Sequence, residues 1–269
     1  MFQKNTPIEK HLIGKSEVFV KRDDLYSHFP APSLAKLRGI KKFVEKLEKN
    51  RIKLIGILDT RVSKSGWGLA YLCQAKNIKI ICFYPRLKSQ REPPFIQKMA
   101  RELGAEIRGL NAGRIVVLYS QAKKIIEEQG GFMMPLGLVL NETKMEVAKI
   151  IDEKYMEFNT IVVSLGTGTI CAGIVDGVEK LFGDGNKPKI IGVSCGMNIT
   201  KIKKRMEKLL GYDLPKNVQL EKPNYEYYEK ENIKTPFPSS KYYDKKAWKW
   251  LMENIGKLKK PILFWNIGV

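Results

Sequence analysis

The hydrophobic pattern alternates between two kinds of segment along the whole chain. Short runs of β-branched and aromatic residues predict strands, and amphipathic stretches with a period of about 3.6 residues predict helices between them. The strands are expected at 17–21, 53–58, 79–84, 160–165, 189–194 and 261–266. The helices are expected at 34–49, 66–76, 93–103, 115–129, 142–154, 170–182, 198–210 and 244–256. This alternation is typical of an α/β fold with mostly parallel sheets.

One long segment departs from this pattern. Residues 212–241 are rich in proline, tyrosine and charged residues and have no regular period. Exposing so many aromatic rings to water is unfavourable. We therefore expect an ordered loop with a functional role rather than a disordered linker.

Length and composition indicate a globular protein. A chain of 269 residues, 43% of them hydrophobic, can form one large or two smaller domains. Charged residues interrupt the apolar stretches of the N-terminus, and no segment has the uncharged length that spans a bilayer. We expect a cytoplasmic protein that does not enter a membrane. The four cysteines and two histidines are scattered, which predicts reduced thiols and no metal site.

The formal net charge of +20 at pH 7 marks a strongly basic protein. Such an excess attracts nucleic acids or phosphorylated ligands. Solvated helix faces are the other interpretation, because lysines and glutamates are interleaved with helical spacing at 41–53 and 200–210. No zinc finger, basic zipper or RNA-binding motif accompanies the charge, and both interpretations remain open.

A glycine-rich turn joins a predicted strand to a predicted helix. It consists of Gly166, Thr167, Gly168 and Thr169. Backbone N–H groups at such a helix start can bind a phosphate group, although a tight strand-to-helix connection uses the same residues. The turn lacks the lysine of a Walker loop, and the next strand ends in Ser194 and Cys195 instead of the acid that a dinucleotide site needs. These features favour a smaller phosphorylated ligand.

The N-terminal part contains TPIE (6–9), VKRDDL (20–25) and SLAKLRGI (33–40) in this order. Together with the glycine-rich turn, these motifs resemble the fold-type II, tryptophan synthase β-like family of enzymes that depend on pyridoxal 5′-phosphate (PLP). The similarity is greatest to the branch of 1-aminocyclopropane-1-carboxylate (ACC) deaminase and D-cysteine desulfhydrase. It implies that Lys36 forms the internal aldimine with PLP. Leu34 and Ala35 replace the glycine and asparagine that precede the lysine in that branch.

The segment SKSGWGLAYLCQAKNIK (63–79) resembles the family's Ser-Asn-His segment. The resemblance implies that Ser63 lies near the substrate and takes part in proton transfer. Lys64 falls where the family has an asparagine that contacts the cofactor ring. We expect Ser63, Ser65, Gly66 and Trp67 to bind the substrate, although the two serines have an alternative role in capping the helix.

Two further segments complete the resemblance. Residues 166–169 are similar to the family's phosphate cup, with Ile170 at a place often held by threonine. Residues 241–268 are similar to the C-terminal segment, which places Tyr243 as an acid/base or ring-stacking group and Asp244 opposite the pyridine nitrogen. A carboxylate there makes the ring a stronger electron sink. The alternatives are a helix cap for Asp244 and a core position for Tyr243.

The resemblance also implies an architecture. We expect two three-layer α/β domains with mostly parallel sheets and the cofactor in the cleft between them. The larger domain would comprise residues 1–47 and 151–269, and the smaller one residues 48–150. Relatives of this fold are commonly homodimers, which we expect here as well.

The expected function is a PLP-dependent reaction on an amino acid or amino-acid-like amine. Asp244 favours a deaminase-like lyase that acts through Lys36 and a stabilised carbanion. One alternative is β-replacement, and another is modification of a nucleic-acid base, which the basic composition would suit. A non-catalytic PLP-binding protein and a nucleotide-binding protein without PLP remain as rival classes.

Overall fold

The computed structural model describes residues 2–269 and divides the chain into two compact units. Unit 1 comprises the N-terminal residues through His28, Ser33–Gly39 and Asn141–Val269, and unit 2 comprises Phe29–Pro32 and Ile40–Leu140. These divisions lie before the expected boundaries near 47 and 150. Apart from the short segment Phe29–Pro32, the chain passes from unit 1 to unit 2 within its first helix. It returns to unit 1 at the start of the helix that begins at Asn141.

Ten strands and eight α-helices form the described part of the chain. The strands are β1 (Ile8–Ile13), β2 (Ser16–Arg22), β3 (Leu54–Leu58), β4 (Lys79–Arg86), β5 (Glu106–Asn111), β6 (Phe132–Met133), β7 (Thr160–Leu165), β8 (Lys189–Ser194), β9 (Val218–Glu221) and β10 (Ile262–Asn266). The helices are α1 (Leu37–Lys49), α2 (Ser65–Gln74), α3 (Phe95–Glu102), α4 (Ile115–Glu127), α5 (Asn141–Ala148), α6 (Thr169–Phe182), α7 (Ile199–Leu210) and α8 (Asp244–Asn254).

Unit 1 is built on a six-stranded sheet in the order β1-β2-β10-β7-β8-β9. Only the pairing of β1 with β2 is antiparallel. Alternate residues of each strand face opposite sides. Ile161 and Val163 of β7 contribute to a core with α5, α6 and α7, whereas Val162 contributes to a core with α8. Helices therefore cover both faces of the sheet.

Unit 2 is built on a four-stranded parallel sheet in the order β5-β4-β3-β6. Leu118, Ala122 and Ile126 of α4 pack against the central strands. Gly56 in β3 permits this contact, because a Cβ atom there would overlap the side chain of Ile126.

The predicted fold class is confirmed, and every predicted strand and helix has a counterpart. The pattern missed β1, β5, β6 and β9. All four are edge strands. Strands β1, β5 and β9 have alternating or charged side chains rather than apolar runs, and β6 has only two residues. Strand β9 lies within 212–241, and the rest of that segment is irregular but anchored to the core by Phe237. No helix among residues 2–269 has the length and apolar character needed to cross a membrane.

Candidate functional site

A turn at the end of β7 leads directly into helix α6. Gly168 occupies the N-cap position with φ of 87° in the left-handed region, where a side chain is unfavourable. A Cβ atom at Gly168 would also lie 2.7 Å from Cγ of Met206. The turn thus needs glycine for both its conformation and its packing. The start of this 14-residue helix can bind an anion through its backbone N–H groups and its dipole.

Lys36 lies in the turn that precedes α1, and its Nζ donates a hydrogen bond of 3.0 Å to Oγ1 of Thr167. Thr167 and Thr169 are joined by a second hydroxyl hydrogen bond of 3.0 Å. The backbone holds Lys36 in place, because the N–H of Ala35 donates to the carbonyl of Ile267 just beyond β10. The fold therefore brings Lys36 to the glycine-rich turn of residues 166–169, called the phosphate loop below.

Asp244 is almost completely buried at the start of α8. Its carboxylate accepts hydrogen bonds from Oγ of Ser164 at 2.8 Å and from the N–H groups of Ile267 and Gly268, both at 3.2 Å. All three donors lie outside α8, so the helix-cap interpretation is wrong. Burial raises the pKa of Asp244 to about 7, against the opposite effect of these hydrogen bonds. Among the described residues, no cationic side chain forms an ion pair with it.

Tyr243 lies beside the phosphate loop, since a Cβ atom at Gly166 would be 3.4 Å from its ring. Its hydroxyl is 2.6 Å from the hydroxyl of Tyr227, which comes from the irregular segment after β9. Sequence analysis did not find Tyr227. The tyrosine-rich composition of 212–241 indicated a functional loop, but not which tyrosine would reach the site.

A buried lysine anchors the loop that carries Tyr227. Lys246 Nζ donates hydrogen bonds to the carbonyls of Glu226 at 2.5 Å and Cys195 at 3.5 Å. Burial lowers the pKa of this amine. Next to Cys195, a Cβ atom at Gly196 would overlap the backbone of Tyr227. These contacts fix the position of Tyr227 relative to Tyr243.

The remaining predicted residues lie in unit 2, at the start of α2. Asp59, at the end of β3, accepts hydrogen bonds from Oγ of Ser63 at 2.9 Å and from the N–H of Gly66 at 2.5 Å. The hydroxyl of Ser65 lies 3.1 Å from that of Ser63, which can accept its proton. A carboxylate of the protein itself therefore lies at the helix start that was expected to bind the substrate. Asp59 was not among the predicted residues, although an acid directly after a buried strand was a usable signal.

The other two predicted residues of α2 have separate contacts within unit 2. Trp67 is buried, and its Nε1 donates a hydrogen bond of 2.8 Å to the carbonyl of Pro30. The Nζ of Lys64 lies 6.0 Å from the centre of the Trp67 ring, which is a cation–π distance. The contact of Lys64 with a cofactor ring stays a prediction.

Comparison with known proteins gives the family. The family model described as pyridoxal-phosphate dependent enzyme matches residues 1–210. The chain belongs to this family. Its cofactor is therefore PLP, and the predicted cofactor and fold-type II relationship are confirmed.

Relatives along the whole length support this assignment. A glycyl-dTMP PLP-dependent decarboxylase of Pseudomonas phage M6 is 35% identical over 285 residues, covering 100% of both proteins. Among solved structures, an ACC deaminase homologue has a TM-score of 0.79 and 18% identity, covering 98% of this chain and 89% of that chain. A hydrogen sulfide-producing enzyme from Fusobacterium nucleatum has a TM-score of 0.68 and 16% identity, covering 98% and 93%. The two structures show the same fold.

The residues of unit 1 have the chemistry that PLP requires. The cofactor combines an aldehyde, a phosphate group and a pyridine nitrogen. Unit 1 provides the amine of Lys36, an anion-binding helix start beside it and, at the start of α8, the buried carboxylate of Asp244, which has no cationic partner within residues 2–269. This donor set fits the cofactor.

Proposed function

We propose that this protein is a PLP-dependent decarboxylase that acts on a glycyl group carried by thymidine monophosphate. The observation that carries the proposal is the 35% identity with the phage M6 enzyme over the full length of both proteins. The alignment includes both units, so it covers the regions that would bind the substrate as well as the cofactor. The proposed reaction differs from the deaminase-like reaction expected from the sequence, which rested on motifs shared with one branch of the family.

Three features of unit 1 would hold the cofactor. The amine of Lys36 would bind its aldehyde carbon covalently, because a lysine amine is the usual nucleophile for this group. The turn from Gly166 to Thr169 would bind the phosphate group with backbone N–H groups and two hydroxyls. Asp244 would face the ring nitrogen, where a protonated nitrogen would provide the countercharge for its buried carboxylate.

Decarboxylation breaks the bond between the carboxyl carbon and the adjacent carbon of the glycyl group. When bound, PLP supplies an electron sink for the electron pair that the departing carbon dioxide leaves behind. The carbon must then take up one proton to complete the reaction. Lys36 and the hydroxyl pair of Tyr243 and Tyr227 are the proton donors that we assign to this step, since they lie at the phosphate loop.

The surroundings of Asp59 in unit 2 disfavour the binding of a carboxylate at the start of α2. A helix start that binds a substrate carboxylate needs unpaired N–H and hydroxyl donors. Here Asp59 already accepts from Gly66 and Ser63, and its negative charge would repel a second carboxylate. We therefore assign no carboxylate binding to this helix start.

The test is product analysis with glycyl-dTMP labelled at its carboxyl carbon. We expect holoenzyme to release labelled carbon dioxide in a reaction that requires PLP, with free glycine as the matched poor substrate and Lys36→Ala as the inactive control. Release of ammonia with retention of the label would contradict the proposal in favour of deamination. Bound PLP without any product would favour the non-catalytic class.

A further inference from the structure

Tyr228 is an aromatic residue that stays exposed in the irregular segment after β9. Its exposed fraction is 56%, and among the described residues of unit 1 only one other aromatic side chain, Tyr212 at 41%, is also exposed. A single exposed ring needs no explanation by itself, because such residues are common on protein surfaces. The position of Tyr228 relative to the site is what distinguishes it.

The ring of Tyr228 lies next to the tyrosine pair of the site. Its centre is 4.9 Å from the centre of the Tyr227 ring, with an angle of 80° between the two planes. Tyr227 in turn contacts Tyr243, whose ring lies beside the phosphate loop. An edge-to-face contact with Tyr227 leaves at least one face of the Tyr228 ring free of that neighbour. Tyr228 is therefore the exposed end of a row of three rings that begins at the phosphate loop.

The backbone of the turn that carries Tyr228 is held in place. The N–H of Glu229 donates a hydrogen bond of 3.2 Å to the carbonyl of Glu226, which makes Tyr228 a central residue of a tight turn. The same carbonyl accepts the hydrogen bond of 2.5 Å from the buried amine of Lys246. Since the turn is already ordered, little further conformational freedom is lost when its aromatic ring binds a ligand.

The neighbours of Tyr228 along the chain limit what its ring can bind. Glu226, Glu229 and Lys230 are charged and exposed, so the tyrosine is an isolated apolar side chain on this turn. Membranes and protein partners use larger continuous apolar surfaces. A single exposed aromatic face instead matches another planar ring in size, and nucleic-acid bases stack on such faces.

We infer that Tyr228 determines specificity for the nucleotide part of the substrate by stacking on its thymine ring. This inference rests on the proposed function for the identity of the substrate. The groups that we assign to the reaction act on the glycyl group at the phosphate loop, so the rest of the substrate extends away from them. At the exposed end of the row of rings, Tyr228 offers the thymine ring an aromatic surface that does not touch the reacting atoms.

The test compares three variants of the holoenzyme. Tyr228→Ala removes the ring, and Tyr228→Phe keeps the ring but removes the hydroxyl. Tyr212→Ala is the matched control, because Tyr212 is the other exposed tyrosine of unit 1 and lies near Asp176 and Glu179, away from the start of α6. Calorimetry measures the binding of dTMP and of deoxyribose 5-phosphate, which has the same phosphate group but no base.

Tyr228→Ala is expected to bind dTMP about fivefold to 150-fold more weakly, which is the effect of losing one stack between a base and an aromatic ring. Its affinity for deoxyribose 5-phosphate should equal that of the unmodified holoenzyme. Tyr228→Phe should restore most of the affinity for dTMP, and Tyr212→Ala should stay within about twofold of the unmodified holoenzyme. With glycyl-dTMP, Tyr228→Ala should raise KM rather than lower kcat, because the lost contact is the same in the ground state and the transition state.

Three results would overturn the inference. They are equal dTMP affinity in Tyr228→Ala and the unmodified holoenzyme, an equal loss of dTMP affinity in Tyr212→Ala, and an equal loss of affinity for deoxyribose 5-phosphate in Tyr228→Ala. Carbon dioxide release from glycyl-dTMP, measured on the same preparations, separates this inference from the proposed function. Release with an unchanged KM in Tyr228→Ala would overturn only the inference, whereas dTMP binding that depends on Tyr228 without any release of carbon dioxide would overturn only the decarboxylase.

Discussion

The carboxylate of Asp244 lies at the start of α8 and is almost completely buried. Aspartate before an amphipathic helix is an ordinary cap, yet this side chain accepts hydrogen bonds from β7 and from the residues after β10. Because burial outweighs these hydrogen bonds, its pKa rises from 3.8 to about 7. The folded protein therefore binds a proton at Asp244 more readily than the unfolded chain does.

The pH dependence of stability follows from this shift. The contribution of Asp244 to the free energy of unfolding is fully present below about pH 4 and is lost as the pH rises through about 7, a change on the order of 4 kcal/mol. Asp244→Asn should remove this part of the pH dependence in the cofactor-free protein, measured by urea unfolding at several pH values. The exposed Asp213→Asn is the control and should behave like the unmodified chain. A constant stability difference between Asp244→Asn and the unmodified chain across this pH range would contradict the account.

Asp59 gives a second prediction for a single residue. Asparagine can still accept the hydrogen bond from the N–H of Gly66, whereas alanine leaves Gly66 and Ser63 without this acceptor. Asp59→Ala is therefore expected to lower the free energy of unfolding by about 1–3 kcal/mol more than Asp59→Asn, because a buried donor without a partner is costly. Urea unfolding of the two variants measures the difference. Equal losses of stability would show that the side-chain acceptor at position 59 does not support the start of α2.

At the scale of the elements, the turn before α6 carries the most specific requirement. Gly168 and Gly211 both have left-handed backbone conformations, with φ of 87° and 83°, but only Gly168 faces a side chain at close range. Gly211→Ala should cost about 1 kcal/mol of stability from backbone strain alone. Gly168→Ala should cost about 1–3 kcal/mol more from overpacking and should weaken PLP binding, because α7 and the loop must move apart. Equal effects of the two variants on stability and on the Kd for PLP would be inconsistent with this picture.

The central elements were predictable because buried parallel strands and amphipathic helices leave continuous patterns in the sequence. The edge strands β1, β5 and β9 were not, since only one side of such strands faces a core. Within the site, the periodicity of the sequence could not predict the contact between Lys36 and Thr167, because these residues lie 131 positions apart. The family resemblance predicted one site for both residues, and the structure places their side chains in hydrogen-bond contact. Tyr227 was not predicted because its contact with Tyr243 comes from an irregular segment. Asp59 bonds to residues only four and seven positions away, and its place directly after a buried strand was a signal that could have been used.

For the whole molecule, cofactor binding should be visible as added stability. A ligand that binds only the folded protein stabilises it by about 2.7 kcal/mol at a concentration of 100 times its Kd. We expect PLP to raise the Tm of the unmodified protein, and pyridoxal without its phosphate group to have a much smaller effect because it cannot use the turn at Gly166 to Thr169. Thermal unfolding with each compound provides the comparison. An equal rise in Tm with both compounds would show that this loop does not bind the phosphate group.

The central claim is that Lys36 holds PLP at the loop before α6. The most direct measurement is borohydride reduction of the purified holoenzyme followed by peptide mapping, with Lys36→Ala reduced in parallel. The account predicts a visible absorption band that reduction removes and a PLP label on Lys36, with neither in the variant. A label on another single lysine such as Lys64 or Lys246, or one spread over surface lysines, would contradict it.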